Sequence, residues 1–385
     1  MSYFNKNLRY YYGDSLLFEK LKKFPYSLLA LVSILAFTGF CMMYSAAMGS
    51  IHPWAMKQVI VFLISLPLMF LIAVLDLRFF YKISYMSYII SLLLLVAVII
   101  SGYKAMGATR WIKLGFFNLQ PSEFAKIMLV LTLARYFHNL SFKQIRSVKY
   151  LIVPALLALV PFALIVKQPD LGTALTTLML AGAIFFVVGV SIWVFAAIGA
   201  AIIAAIPLLW HFLHDYQKQR IMTFFEPNTD VLGSGYNINQ SVIAIGSGGL
   251  SGKGFLGGSQ VQLDFLPEKQ TDFVFTMFAE ETGFIGCFIL ISIYLLITIF
   301  GIKTAMNTKS QFGRVLAFGL STLFFIHFFI NVAMVSGIIP VVGSPLPLMS
   351  YGGTIMVSSM ISFGLLANVY IHNRCSINVG TKSFL

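Results

Sequence analysis

The sequence predicts an all-α, polytopic integral membrane protein: a single transmembrane domain over residues 1–385 with ten transmembrane helices and one large extracytoplasmic loop. Three observations carry this. Of the 385 residues, 59% are hydrophobic and only 10% charged, against roughly 45–50% and about 25% in soluble globular domains. The mean hydropathy is +0.88. The apolar residues also fall in runs of about 17–25, the length a helix needs to cross the hydrocarbon. No water-soluble fold of this size hides that much apolar surface, so the net charge of +13 is read as a topology signal before a ligand signal.

In chain order, a basic, cytoplasmic tail (1–26) precedes apolar segments at 27–47, 57–75, 83–101, 123–141, 149–166, 171–189, 191–212, 274–302, 314–337 and 351–371, and a second tail follows over 373–385. No small-residue cleavage site follows the first segment, so that span is expected to be retained. The fourth segment is amphipathic, carrying Glu123, Lys126 and Arg135. An even number of spans puts both termini on one side. With the termini inside, 16 of the 26 Lys and Arg lie in cytoplasmic pieces, which fits the positive-inside bias. The other ten lie at the outer face against that bias and call for an anionic ligand or partner. Cys41, Cys287 and Cys375 form no CxxC or metal spacing, so neither disulfides nor zinc are expected.

The segment 213–272 forms the long outer loop, and function concentrates where a chain departs from short connections. Eight of the 13 acidic residues fall within 215–281. The stretch GSGGLSGKGFLGG (246–258) contains GxGxxG but lacks the strand-turn-helix context of a nucleotide fingerprint and the spacing of a P-loop. It reads as a re-entrant or surface turn where backbone passes close to something. His211, His214 and Asp215 have metal-like helical spacing, though solvated interfacial side chains explain them as well, and Trp193 and Trp210 read as an aromatic belt.

The stronger constellation is a set of charged residues at the outer helix ends: Arg110 and Trp111 in GATRWI, Glu123 and Lys126 in QPSEFAK, Asp170 in KQPDLGT, Arg220 in YQKQRI, and Glu268 and Asp272 in FLPEKQTDF. Ionisable groups at the mouth of a helical bundle face polar cavities and mark functional sites. Glu123 and Lys126, one turn apart, can also pair and position their helix. Asp272 opens the eighth apolar segment after Thr271, a predicted N-cap. A carboxylate at the membrane face suits a general base.

QPSEFAK (120–126), KQPDLGTA (167–174), the glycine-rich segment leading to FLPEKQTDFVF (265–275), AEETGFIG (279–286) and above all NVAMVSGIIPVVGSPLPLMSYGGT (331–354) resemble the SEDS proteins of shape, elongation, division and sporulation, and the last stretch resembles the elongation branch more than the division branch. The resemblance runs from about residue 25 to 372 in order and spacing. It implies a ten-helix peptidoglycan glycosyltransferase of the bacterial cytoplasmic membrane. Such an enzyme polymerises lipid II at the extracytoplasmic face with a class B penicillin-binding protein as transpeptidase and other elongation-complex membrane proteins as partners. The family's essential aspartate falls on Asp272, its RW pair on Arg110 and Trp111, and its QPSE and QPDLGT motifs on 120–123 and 168–173; the usual histidine before Thr-Asp is Gln270 here. On this reading Asp272 is the base, and Arg110, Arg220 and Lys126 hold diphosphate. Trp111 packs on sugar or lipid, Glu268 contributes to substrate binding, and Glu123 and Asp170 are structural polar residues. A divalent cation, Mg or Mn, is a candidate with Asp272 and Glu268 as its ligands; no organic cofactor is implied. The competing classes are a lipid II flippase, which predicts charges near the midplane and access from both faces, and a non-catalytic scaffold.

Overall fold

The computed structural model describes residues 18–105, 108–114, 117–212, 218, 222–223, 234–259, 265–266 and 268–377. Its helices, numbered here without one short turn at Phe142–Ile145, are α1 (Tyr26–Ala46), α2 (Ala55–Val74), α3 (Leu77–Ser101), α4 (Pro121–His138), α5 (Val148–Val166), α6 (Leu171–Val188), α7 (Ile192–Phe212), α8 (Ser234–Ser247), α9 (Val274–Asn307), α10 (Gln311–Val335) and α11 (Gly353–Ile371). The chain is an all-α polytopic membrane protein with one correction. Between the apolar segments 83–101 and 123–141, the described residues form a small antiparallel sheet of β1 (Tyr103–Ala105), β2 (Ala108–Leu114) and β3 (Phe117–Leu119), in that order.

Among the described residues, eight helices are long and apolar enough to span: α1, α2, α3, α5, α6, α9, α10 and α11. The expectation of ten differs at two elements. In α7 the described apolar stretch is Ile192–Pro207, shorter than a span, although the sequence continues apolar through Leu208, Leu209 and Trp210, and α4 carries Glu123, Lys126 and Arg135 on 18 residues. The long outer loop is also less irregular than expected, since α8 lies within it and packs on α9 and α10.

The layering follows from side-chain size and polarity. Inside a bilayer, apolar burial gives helices little drive to associate, so close packing and interhelical hydrogen bonds do that work. Helices α10 and α11 form the centre, with 72% and 83% of their spanning windows buried, whereas α3 and α5 bury only 28% and turn Ile90, Leu93, Leu156 and Leu159 outward. Tyr294 of α9, fully buried, stacks on Phe328 of α10 at 4.6 Å and donates its hydroxyl to Pro347 O at 2.7 Å. Asn368 of α11 donates to the carbonyls of Ile72, Ala73 and Leu75, closing the end of α2. One core cluster runs from Phe24 to Val369. Cys41, Cys287 and Cys375 are free thiols.

The glycine-rich segment has a definite task. Helix α9 is interrupted at Gly283, whose φ of 65° and ψ of −164° break the ladder. In an unbroken helix Phe284 and Ile285 would donate to Glu280 and Glu281. Instead Phe284 N donates to Gly249 O at 2.9 Å and Ile285 N to Leu250 O at 3.1 Å, while Lys253 N and Gly254 N donate to Glu280 O and Glu281 O at 3.0 Å each. The glycine segment thus replaces a missing helical turn bond by bond, which satisfies backbone groups that hydrocarbon would leave unpaired. Gly252 lies at φ +77°, and a Cβ there would sit 2.1 Å from Glu281 O. Gly252→Ala is therefore expected to cost at least about 1–3 kcal/mol, read as a lower thermal unfolding midpoint in detergent; an unchanged midpoint would show that the splice is not structurally required.

Candidate active site

Five of the residues singled out in the sequence, Arg110, Trp111, Glu123, Glu268 and Asp272, line one cavity of about 210 Å³, whose wall also includes Gln120 and His327. Four helices open onto it with their N-terminal ends: α4 through Gln120 and Glu123, α6 through Gly172 and Thr173, α9 behind Asp272, and α11 through Tyr351 and Gly352. Each N-terminus has N–H groups without intrahelical partners and a partial positive charge. Their convergence makes the chamber favourable for an anion, and none of it could be read from the charged residues alone.

Asp272 is carried on a turn tied down by its backbone. Thr271 N donates to Glu268 O at 3.0 Å, closing the turn, and the Thr271 hydroxyl donates to Glu268 Oε2 at 2.9 Å. The next three carbonyls are each claimed by another element: Gln270 O by Tyr351 N at 2.8 Å, Thr271 O by Ser350 Oγ at 2.6 Å, and Asp272 O by Asn331 Nδ2 at 2.9 Å. The carboxylate is left half-buried against the loop before α11, where a Cβ on Gly343 would come within 3.3 Å of Asp272 Oδ2. One sequence expectation is corrected here. Phe273, not Thr271, occupies the N-cap of α9, without a side-chain cap bond, because the Thr271 hydroxyl is turned back to Glu268.

Arg110 projects from β2, and its Nε lies 3.4 Å from Asp170 Oδ2 while Nη2 donates to Pro169 O at 3.4 Å. Asp170 is 2% exposed and caps α6 by accepting from Thr173 N and the Thr173 hydroxyl. The buried carboxylate therefore orients the guanidinium along the cavity wall. Trp111 follows on the same strand, paired in register with Tyr103.

The floor is a buried charged network. Lys126 Nζ is 2.8 Å from Glu123 Oε1 and 2.7 Å from His327 Nε2, and Lys126 is 0% exposed. An ammonium only donates, so His327 Nε2 accepts; its Nδ1 then carries the proton and faces Ser344 Oγ at 3.4 Å. Lys126, expected from sequence to hold substrate, is thus placed beneath the wall, one turn deeper than Glu123, with its charge committed to its neighbours. Below this layer lies a void of only about 20 Å³ between Glu123, His327 and Ser358. Arg220, His214 and Asp215 lie outside the described residues, and His211 is exposed at the end of α7. Glu280 and Glu281 are buried within α9: Glu280 Oε1 is 2.7 Å from Lys253 Nζ, and Glu281 accepts from the Ser45 hydroxyl. Among the described residues no group of three or more His, Cys, Asp and Glu is arranged to hold a metal; the two carboxylates on the cavity wall near Thr271 are Glu268 and Asp272.

His327, Asn331 and Ser344 were not singled out from sequence. The available signal was a polar pair at i and i+4, His327 and Asn331, within the otherwise apolar FFIHFFINVAMV of α10.

Residues 25–375 match the family FTSW_RODA_SPOVE, cell cycle protein. The chain belongs to this family. It is 45% identical to the peptidoglycan glycosyltransferase MrdB of Escherichia coli K12 over 289 residues, covering 74% of this chain and 77% of that one. It is 34% identical to a probable peptidoglycan glycosyltransferase FtsW of Idiomarina loihiensis, over 88% of this chain and 84% of that one. A chain in a solved structure described as "Structural coordination of polymerization and crosslinking by a peptidoglycan synthase complex" superposes with a TM-score of 0.80 at 29% identity, covering 90% of this chain and 97% of that chain. The matched range contains Arg110, Glu123 and Asp272, which line the cavity, and Asp170, which pairs with Arg110 behind its wall.

Proposed function

We propose that this peptidoglycan glycosyltransferase of the MrdB type polymerises lipid II by inverting transfer, with Asp272 as general base. The observation that carries the reading is the pairing, within one cavity, of a half-buried carboxylate with Arg110 and four converging helix N-termini. The acceptor sugar hydroxyl attacks C1 of the donor and its proton passes to Asp272. The C1–O bond breaks, and the diphosphate departs with the electron pair. A diphosphate leaves readily, so no second carboxylic acid is needed to protonate it, unlike glycoside hydrolysis. Its charge is stabilised by Arg110 and the helix ends, with Arg220 as a further cation in the outer loop. A helix terminus contributes about 0.3–1 kcal/mol, of which the Asp170 cap on α6 and Glu123 in the first turn of α4 already draw a part.

The remaining residues have supporting parts. Trp111 offers a ring for sugar or lipid, and Glu268 both closes the turn that carries Asp272 and faces substrate. Asp170 aims Arg110. The buried Lys126 fixes Glu123 and His327 and does not meet the diphosphate directly. Gln270 presents its backbone to Tyr351, which fits a role in shaping the turn and makes an acid-base group at that position unnecessary. A divalent cation, Mg or Mn, entering with the diphosphate fits Asp272 and Glu268, since magnesium binds by one or two carboxylates plus substrate phosphates; it would neutralise leaving-group charge.

In the membrane, the eight apolar spans plus α4 and α7 make ten crossings, with both termini cytoplasmic and the cavity at the extracytoplasmic face of the bacterial cytoplasmic membrane. The basic residues on the terminal side support this orientation. Work alongside a class B penicillin-binding protein and other elongation-complex proteins is supported by the likeness to a chain of a synthase complex. The closed floor disfavours a flippase, and the convergent charges disfavour a passive scaffold.

The test is polymerisation of lipid II by the purified chain, with and without divalent metal and transpeptidase. Arg110→Ala is expected to raise the KM for lipid II about 10- to 100-fold, the equivalent of one charge-assisted bond. Unchanged kinetics would remove Arg110 from the site.

A further inference from the structure

We propose that the end of the bundle opposite the active cavity holds a binding site for the phosphate of an anionic phospholipid. A separate cavity of about 200 Å³ lies there, lined by Phe300, Lys303, Thr304, Asn307, Tyr370 and Asn373. Helices α9 and α11 both start at the active cavity and end at this second one, so the two sites are a helix length apart and belong to opposite leaflets. The site stands apart from the catalytic reading and uses none of its residues.

The lining is amphiphilic in the order a lipid requires. Phe300 and Tyr370, with ring centroids 5.4 Å apart, form its apolar side, and Leu296, Ile299 and Tyr370 continue outward as exposed surface along which an acyl chain can lie. Lys303, Asn307 and Asn373 form its polar side. The Lys303 side chain is exposed and makes no ion pair among the described residues. Lys309 N donates to Asn373 O at 2.9 Å, which brings Lys309 and Arg374 to the rim.

The charge balance favours an anion. The C-terminal ends of α9 and α11 each turn about half a negative charge toward the cavity, which opposes anion binding. Lys303, Lys309 and Arg374 together exceed this. No Asp or Glu occurs in the sequence after Glu281. Asp76, from the start of α3, lies near His372, but its carboxylate accepts from Arg78 N at 2.9 Å, and Lys20 and Lys23 also face His372. Basic pockets between helices on the cytoplasmic side are suited to lipid phosphates. The apolar flank commits the occupant to a lipid headgroup and not to free phosphate.

The experiment is native mass spectrometry of the full chain in neutral detergent, incubated with phosphatidylglycerol, phosphatidylcholine or inorganic phosphate. Phosphatidylglycerol should be retained about fivefold or more over phosphatidylcholine, and Lys303→Gln should reduce that retention about fivefold, the contribution of one lysine near a charged surface. Lys303→Arg should preserve it. Lys143→Gln, an exposed basic residue near the end of α4, should leave it unchanged. Equal retention of the two lipids, displacement of phosphatidylglycerol by inorganic phosphate, or an equal loss in Lys143→Gln would overturn the proposal. Lipid II polymerisation by Lys303→Gln in detergent is expected at the parent rate, which confirms that the variant is folded; loss of that activity would mean the residue belongs to the catalytic machinery and would also overturn it.

Discussion

Asp272→Asn is expected to lower kcat for lipid II polymerisation about 10²- to 10⁴-fold, the range lost with a general base, while the protein stays folded and still binds donor. The structure explains why the loss should be chemical. The turn is held through its backbone: Tyr351, Ser350 and Asn331 engage the carbonyls of Gln270, Thr271 and Asp272, and none of these bonds uses the carboxylate. Asparagine keeps the side-chain shape against Gly343 but cannot accept a proton. Donor affinity measured without divalent metal should change little, because Arg110 and the helix N-termini are untouched. Parent-level turnover in Asp272→Asn, with unfolding excluded by its thermal midpoint, would sink the base assignment. A variant that lost donor binding and turnover together would point instead to a positioning role for the carboxylate.

What the sequence exposed and what it concealed follow from the physics of each residue. Arg110, Trp111, Glu123, Glu268 and Asp272 were legible because a charge or a large amphipathic ring at a span boundary is costly to place, and the structure sets all five on one cavity. Asp170 was legible for the same reason and stands behind Arg110. The depth of Lys126 was not legible: position three residues along a helix from Glu123 is equally compatible with a wall and a floor, and only the approach of His327 from α10 decides it. His327 and Asn331 carry no formal charge that would mark them, and their partners lie on α4 and in the 268–273 turn and 337–352 loop, far away in sequence. The small sheet escaped because two of its strands run only three residues and the seven of β2, ATRWIKL, do not alternate strictly between apolar and polar. The glycine-rich segment announced a close backbone approach but not its partner, since the break at Gly283 that it repairs depends on a backbone angle no composition reveals.

Lys126→Met carries the largest stability effect expected in the molecule. It leaves Glu123 buried without the ammonium at 2.8 Å, and removing one partner of a buried ion pair costs about 3–5 kcal/mol. Glu123→Gln should cost a comparable amount by stranding the lysine against His327. The double variant, Glu123→Gln with Lys126→Met, has no buried charge left to compensate, and replacing a whole buried pair is often close to neutral. It should therefore recover much of the thermal midpoint lost by either single change, with coupling of about 0.5–3 kcal/mol between the sites. Activity should part company with stability. Glu123 and His327 both face the cavity of Asp272 and Arg110, so on the proposed function the double variant should fold well and polymerise slowly, the donor's surroundings having lost a charge and an oriented imidazole. If the double variant were instead as unstable as the two single losses added, the floor would be a set of independent contacts. If it were both stable and fully active, the network would serve packing alone, and the orientation of His327 toward Ser344 would have no part in the reaction.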